Sequence, residues 1–199
     1  MLSAILSPMP FKKSPKLYDT EALYEYAVQA LGRRMRTVAE LKRLMRQKRI
    51  AGSKEAVIDA VVHRLKDQRY LNDTQYATLY SSFRKEGDKF GQRRVETDLK
   101  AKGVHPDVIE KTVRETYAGV DEEALARDYL RRKRIAQPSS PKRGDLASYK
   151  QSQKESAKVF RTLVRAGFRT GTIVKVLKKW NVEDEVLTAL QEEDTSPAE

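Results

Sequence analysis

Phe90-Gly91-Gln92-Arg93-Arg94-Val95-Glu96-Thr97-Asp98-Leu99-Lys100-Ala101-Lys102-Gly103 reads as one short amphipathic helix set between two glycines. Val95 and Leu99 are four residues apart, so they share a helical face, and charged residues fill the rest of the turn. Gly103 ends the helix, since glycine readily adopts the left-handed conformation that closes one. The pattern occurs three times. Moving back 54 residues carries Val95 and Leu99 onto Leu41 and Met45. Moving forward 78 carries them onto Ile173 and Leu177, and Phe90 onto Phe168.

Flanking helices complete each repeat. Ahead of Leu41 runs a helix from Asp19 or Thr20 through Leu23, Ala27 and Ala30 to Gly32. Thr37 with Glu40 forms a capping-box pattern, and after Gly52 a third helix carries Val57, Ile58, Val61, Val62 and Leu65. The middle repeat has Asn72-Asp73 opening a helix with Tyr76, Ala77, Tyr80 and Phe83, and His105-Pro106-Asp107 opening one with Val108, Ile109 and Val113. The last has Ala157, Phe160, Leu163 and Val164 before Gly167, then Val186, Leu187 and Leu190 after Trp180. An extra helix from Asp121 to about Ile135 lengthens the second spacing.

The expected organisation is therefore all-α: tandem three-helix, helix-turn-helix-like units forming an elongated, curved body. The boundaries are a flexible tail over 1–18, units over 19–70, 71–120 and 121–191, and a frayed tail over 192–199. The third unit includes a flexible Pro/Ser/Lys-rich loop over 137–149. Helices this short are marginal alone and must bury their apolar stripes against each other.

Composition narrows the function. The 199 residues hold 40 Lys and Arg against 28 Asp and Glu, a net charge of +12, and no cysteine. Disulfides, thiolate metal sites and cysteine nucleophiles are excluded together. No apolar run approaches the roughly 20 residues of a membrane span, and Met1–Leu6 is too short for a signal peptide. The expected location is the cytoplasm, and the expected state a monomer. No GxxxxGK[ST] loop, GxSxG elbow or HExxH is present, so neither catalysis nor a cofactor is expected. His63 belongs on an exposed helical face and His105 near a helix cap; neither has partners for a metal. Glu183-Asp184-Glu185 opens the last helix, where carboxylates favour the positive dipole end.

A positive excess favours an anionic partner. Residues 1–70 carry net +8, residues 71–120 net +1 and residues 121–199 net +3. One basic position recurs: Arg46, Lys100 and Lys178 occupy the same place in the three middle helices. In the first, Lys42 and Arg49 join Arg46 on one flank; Glu96 and Val174 stand where Lys42 would be. Denser clusters are Arg33-Arg34, Arg93-Arg94 and Arg131-Arg132 with Lys133 and Arg134. These residues are the candidate binding set. The plainer alternative is solvated helix flanks and cations offsetting helix C-termini. Tyr76 and Tyr80, able to stack on bases, fit the core better at this spacing.

Three stretches resemble the RecX family of bacterial recombinase regulators. Arg69-Tyr70-Leu71-Asn72-Asp73-Thr74-Gln75-Tyr76-Ala77 is similar to the family's GYLDDxxFA segment. Phe90 to Gly103 resembles YGxxRIxxELxxKG, and Leu163 to Leu177 resembles LxRRGFxxxxIxxVL. Arg69, Gln92, Asp98 and Ala166 depart from the usual Gly, Pro, Glu and Arg. The resemblance implies a regulator in DNA repair and the SOS response. It would bind the RecA recombinase filament in its helical groove and restrain recombination, ATPase and coprotease activity. Some family members also bind single- or double-stranded DNA. The rival reading is a general DNA-binding protein that uses helix-turn-helix-like pairs without a recombinase.

Overall fold

The computed structural model describes residues 16–142 and 144–195. They divide into two compact units, one ending at Leu71 and one beginning at Asn72.

The first unit contains β1 (Leu17–Tyr18), α1 (Thr20–Arg33), α2 (Val38–Arg46), β2 (Arg49–Ile50) and α3 (Lys54–Asp67). Asp19 caps α1 by accepting from the Ala22 amide, and Thr37 and Glu40 close the expected capping box on α2. Leu23, Ala27, Leu41, Met45, Ile58 and Leu65 are fully buried and form the core. Leu17 and Tyr18, expected within a flexible tail, instead pair in parallel with Arg49 and Ile50. The pairing fixes Tyr18, whose ring packs edge-on against Tyr26 at 5.8 Å. The rest of the expected tail, residues 1–15, lies outside the described residues.

The second unit runs from α4 (Asp73–Phe83) through a π-helical turn (Arg84–Asp88), α5 (Gln92–Ala101), α6 (Pro106–Thr116), α7 (Glu122–Arg132) and α8 (Leu146–Arg165) to α9 (Thr170–Lys178) and α10 (Asp184–Thr195). Its core has two parts. Tyr76, Ala77, Val95, Leu99, Ile109 and Val113 form one; Leu130, Phe160, Leu163, Phe168, Ile173, Leu177 and Leu187 belong to the other. Phe90 and Tyr117 pack against both. The segment expected to be a loop over 137–149 becomes helical at Leu146, because Asp145 accepts from the Ala147 and Ser148 amides and starts α8. Glu155 holds the segment before it by accepting from both the amide and the hydroxyl of Ser139.

The six repeat-defining residues, Leu41, Met45, Val95, Leu99, Ile173 and Leu177, are all 0 % exposed. The third helices repeat too, with a shift of 51 and then 78: Ile58, Ile109 and Leu187 are equivalent buried positions. Gly52, Gly103 and Asn181 follow the same shifts, and all three have positive φ. The first shift is 51 rather than 54 because the first unit is three residues longer between its second and third helices, where β2 lies.

The N-termini of the three middle helices are satisfied in three ways. α2 uses its own Thr37 and Glu40. At the equivalent end of α5 stands Gly91, whose amide donates to the Ala166 carbonyl at 2.8 Å, while the Arg93 amide donates to Gly167 at 3.2 Å. For α9, Glu122 of α7 accepts from the Arg169 amide (3.0 Å) and the Thr172 hydroxyl (2.6 Å). Orphan helix amides need such partners. Only the first group caps its own middle helix; the other two depend on elements far away in sequence, which fuses them into one unit.

That fusion centres on Phe90-Gly91 and Gly167-Phe168. A Cβ on Gly91 would lie 2.3 Å from the Gly167 oxygen, and one on Gly167 would lie 2.2 Å from the Arg94 nitrogen. Gly167 also has a φ of 87°. The Tyr129 ring sits between the two phenylalanines, 6.0 Å from Phe90 and 5.9 Å from Phe168. The Tyr117 hydroxyl donates to the Phe90 carbonyl at 2.9 Å. Burial, with a lesser contribution from the Glu96 charge, pushes this hydroxyl far above its ordinary pKa.

Candidate functional site

The recurrent basic position turns out to face the neighbouring helix. In the first unit Lys42 bonds Asp59 at 2.6 Å, and Arg46 grips Glu55 through two bonds of 3.0 and 2.9 Å. These pairs form a two-rung ladder along the α2–α3 seam. The bond from Arg46 holds Glu55 below the ordinary carboxylate range, and the bond from Lys42 does the same for Asp59. The shifts of 51 and 78 carry Glu55 onto Pro106 and then Asp184. Lys178 bonds Asp184 at 2.7 Å, repeating the Arg46–Glu55 rung between α9 and α10. At that rung Lys100 has Pro106 at the position equivalent to Glu55 and, among the described residues, forms no ion pair.

Other candidates also serve the fold. Arg94 pairs with Asp98 at 3.1 Å and lies against Gly167. Arg132 donates to the Gly87 carbonyl and pairs with Asp88, which also accepts from Arg84 at 2.6 Å. Arg84 in turn lies over the Tyr80 and Phe90 rings. Arg131 pairs with Asp128 of its own helix at 2.5 Å. Lys133 sits 5.9 Å from the Tyr129 ring, and Arg134 adopts a positive φ where the chain leaves α7. Lys175 and Lys179 meet the Glu123 carboxylate of α7 at 3.9 and 2.5 Å.

Of the candidate residues, Arg33, Arg34 and Arg49 in the first unit and Arg93, Lys100, Lys133 and Arg134 in the second are exposed and form no ion pair among the described residues. Arg43 joins them: it is exposed on α2 and lies about 100° around the helix from Lys42. The sequence pattern does not single it out, because Arg43 lies off the flank that carries the repeated position. The neutralising acids escape that pattern for a different reason, since finding them needs the third-helix register as well as the second.

The third helices expose carboxylates on their outer faces. α3 presents Glu55, Asp59 and Asp67; α6 presents Asp107, Glu110 and Glu115; α10 begins with Asp184 and Glu185. His63, exposed on α3, meets Asp67 at 2.8 Å, and the His105 ring accepts the Asp107 amide at the start of α6. Tyr76 is buried, and the Tyr80 hydroxyl donates to Asp98 at 3.0 Å. Among the described residues no group of three or more His, Cys, Asp or Glu side chains is placed to hold a metal, and no helix is long and apolar enough to cross a membrane.

Three-helix groups with a shared register and mixed-charge outer faces define an all-α tandem-repeat protein. Residues 24–65 match the RecX first three-helix domain. The regulatory protein RecX of Bacillus velezensis is 35 % identical over 95 residues, covering 48 % of this chain and 35 % of that protein. The Bacillus cereus regulatory protein RecX is 32 % identical over 101 residues, covering 50 % and 36 %. The chain thus spans about a third of the length of the relatives it matches. The crystal structure of RecX from Lactobacillus salivarius aligns over 81 % of this chain and 96 % of its own, with a TM-score of 0.58 at 20 % identity. A second crystal structure, of a regulatory protein RecX, gives 0.58 over 80 % and 71 %. The chain is thus similar to the RecX regulatory proteins in sequence across its first three-helix group and in fold across most of its length.

Proposed function

We propose that this protein binds the RecA recombinase filament, within its helical groove, and restrains recombination, ATPase and coprotease activity. Similarity to the RecX regulatory proteins carries this reading. The repeated architecture supports it: several similar groups on one chain can engage successive protomers of a repeating lattice, each further contact acting at high effective concentration. Strand-exchange and ATPase assays with purified recombinase test it. Inhibition is expected at amounts stoichiometric with the groove, and its absence there would sink the proposal.

Free arginines in the first unit, Arg33, Arg34, Arg43 and Arg49, favour an accompanying contact with nucleic-acid phosphates. They favour a general helix-turn-helix reader far less. Such a reader inserts a recognition helix among phosphates and base edges, whereas the third helices carry exposed carboxylates. Gel shifts on naked duplex at two salt concentrations separate the readings. Tight, sequence-selective binding without recombinase would favour the reader.

A further inference from the structure

The α5–α6 seam differs from its two counterparts in a way that leaves charges open. Along α2–α3, cations on the second helix meet acids on the third at both rungs. Along α9–α10, one rung is the Lys178–Asp184 pair, and the other holds the uncharged Val174 and Thr188. Along α5–α6, the equivalent rungs are Glu96 with Glu110 and Lys100 with Pro106. By register, the first rung has an acid at both positions and the second has a lysine with no acid.

What satisfies these groups locally is modest. Glu96 accepts a single bond from Gln92 of its own helix at 2.8 Å, and Glu110 pairs with Arg114, also of its own helix, at 3.2 Å. An exposed pair of that i,i+4 kind contributes little. No residue of α6 answers Lys100. The seam holds the two helices together through Val95, Leu99, Ile109 and Val113 and does not need the ladder for cohesion.

We infer that the α5–α6 seam is a docking surface for a protein partner that supplies the missing rungs: a carboxylate at Lys100 and a cation at Glu96 and Glu110. Nucleic acid is the wrong chemistry, because phosphates answer Lys100 but are repelled by the two carboxylates and bring no cation. The stretch around the seam, residues 71–120, carries only net +1, so it offers little general attraction to a polyanion. A second copy of this chain is disfavoured as well, since two bodies of net +12 repel each other. A foreign, net-acidic protein surface displaying one basic side chain beside its acids fits all three groups. Complementary charges arranged this way fix register and choice of partner. In this protein the partner is the recombinase protomer, so the inference rests on the function proposed above.

The test uses the full chain on recombinase filaments assembled on single-stranded DNA, with binding measured at low and physiological salt. Lys100→Glu reverses the open cation. Pro106→Glu instead gives Lys100 an internal partner, as Glu55 does for Arg46, and leaves the lysine in place. Lys150→Glu is the matched control, an exposed lysine of α8 with the same change in net charge. Both seam variants should weaken filament binding roughly tenfold with unchanged helical content, and the control should not. If Lys100→Glu binds as tightly as the Lys150→Glu control, the seam assignment falls while filament binding stands. If the unaltered chain fails to bind the filament, both readings fall. A Lys100→Glu effect on naked DNA alone, or on a dimer of the free chain seen by light scattering, would also overturn the assignment.

Discussion

Replacing Gly91 with alanine is the sharpest perturbation this fold offers. The added Cβ would sit 2.3 Å from the Gly167 oxygen, 2.5 Å from its carbonyl carbon and 2.7 Å from the Phe168 nitrogen. All three are backbone atoms, so no side chain can swing away. Ordinary contact begins near 3.4 Å, so α5 would have to withdraw by about 1 Å from a close-packed neighbour. That withdrawal stretches the Gly91–Ala166 and Arg93–Gly167 bonds and opens the stack of Phe90, Tyr129 and Phe168. Overpacking of this kind costs about 1–3 kcal/mol, and each weakened bond adds about 1 kcal/mol. The expected loss is about 3 kcal/mol. Gly171→Ala is the control: a Cβ there meets nothing within 4 Å, and removing glycine from a helix should stabilise by about 0.5–1 kcal/mol. Urea unfolding followed by the fluorescence of Trp180, which packs in the second unit, measures both. A Gly91→Ala protein within about 0.5 kcal/mol of the parent would refute the interlock, given the random error of such extrapolations.

Three further outcomes follow from the same geometry. Lys89 has a φ of 60° where the equivalent residue of the third group is Gly167, so Lys89→Gly should leave stability unchanged or raise it by about 1 kcal/mol in the same assay. The Tyr117 hydroxyl has its pKa raised by burial. Its contribution is therefore complete below the ordinary tyrosine value of about 10 and is lost as pH rises past it; alkaline unfolding of the second unit should become less steep in Tyr117→Phe. Glu155 is held down at about 2, first by the Ser139 amide, then by its hydroxyl and by Gln151. A depressed carboxylate contributes above its ordinary value of about 4.3 and loses that contribution as pH falls toward 2. Hydrogen exchange at the Ser139 amide should therefore lose protection across that window, and Glu155→Ala should remove the protection at every pH.

Local patterns in the sequence carried the repeat. The spacing of Val95 and Leu99, shifted by 54 and 78, located six fully buried residues, because burial on a helix follows a period that a chain of letters displays. The Thr37–Glu40 cap was readable for the same reason: it spans three residues. The partners of Arg46 and Lys178 were not readable from the second helices alone. They sit on third helices whose register is offset by the extra residues around β2, and no periodicity within α2 reports that offset. Phe90 and Phe168 were recognisable as equivalent positions. That they meet through Tyr129, with glycines interleaved beside them, is a relation between distant segments that depends on the tertiary path. Ion pairing is likewise decided by what stands across a seam, which the pattern of one helix does not display.

The borrowed cap on α5 also fixes an order of events during synthesis. The carbonyls that receive the Gly91 and Arg93 amides belong to Ala166 and Gly167, more than 70 residues further along the chain. At ribosomal speeds of about 5–20 residues per second, the middle group waits several seconds for its lock. Everything the first unit needs is present once Leu71 has emerged. The nascent protein should therefore pass through a stage with a finished amino-terminal unit and an open, unlatched α5, and a ribosome stalled before Ala166 would hold it there.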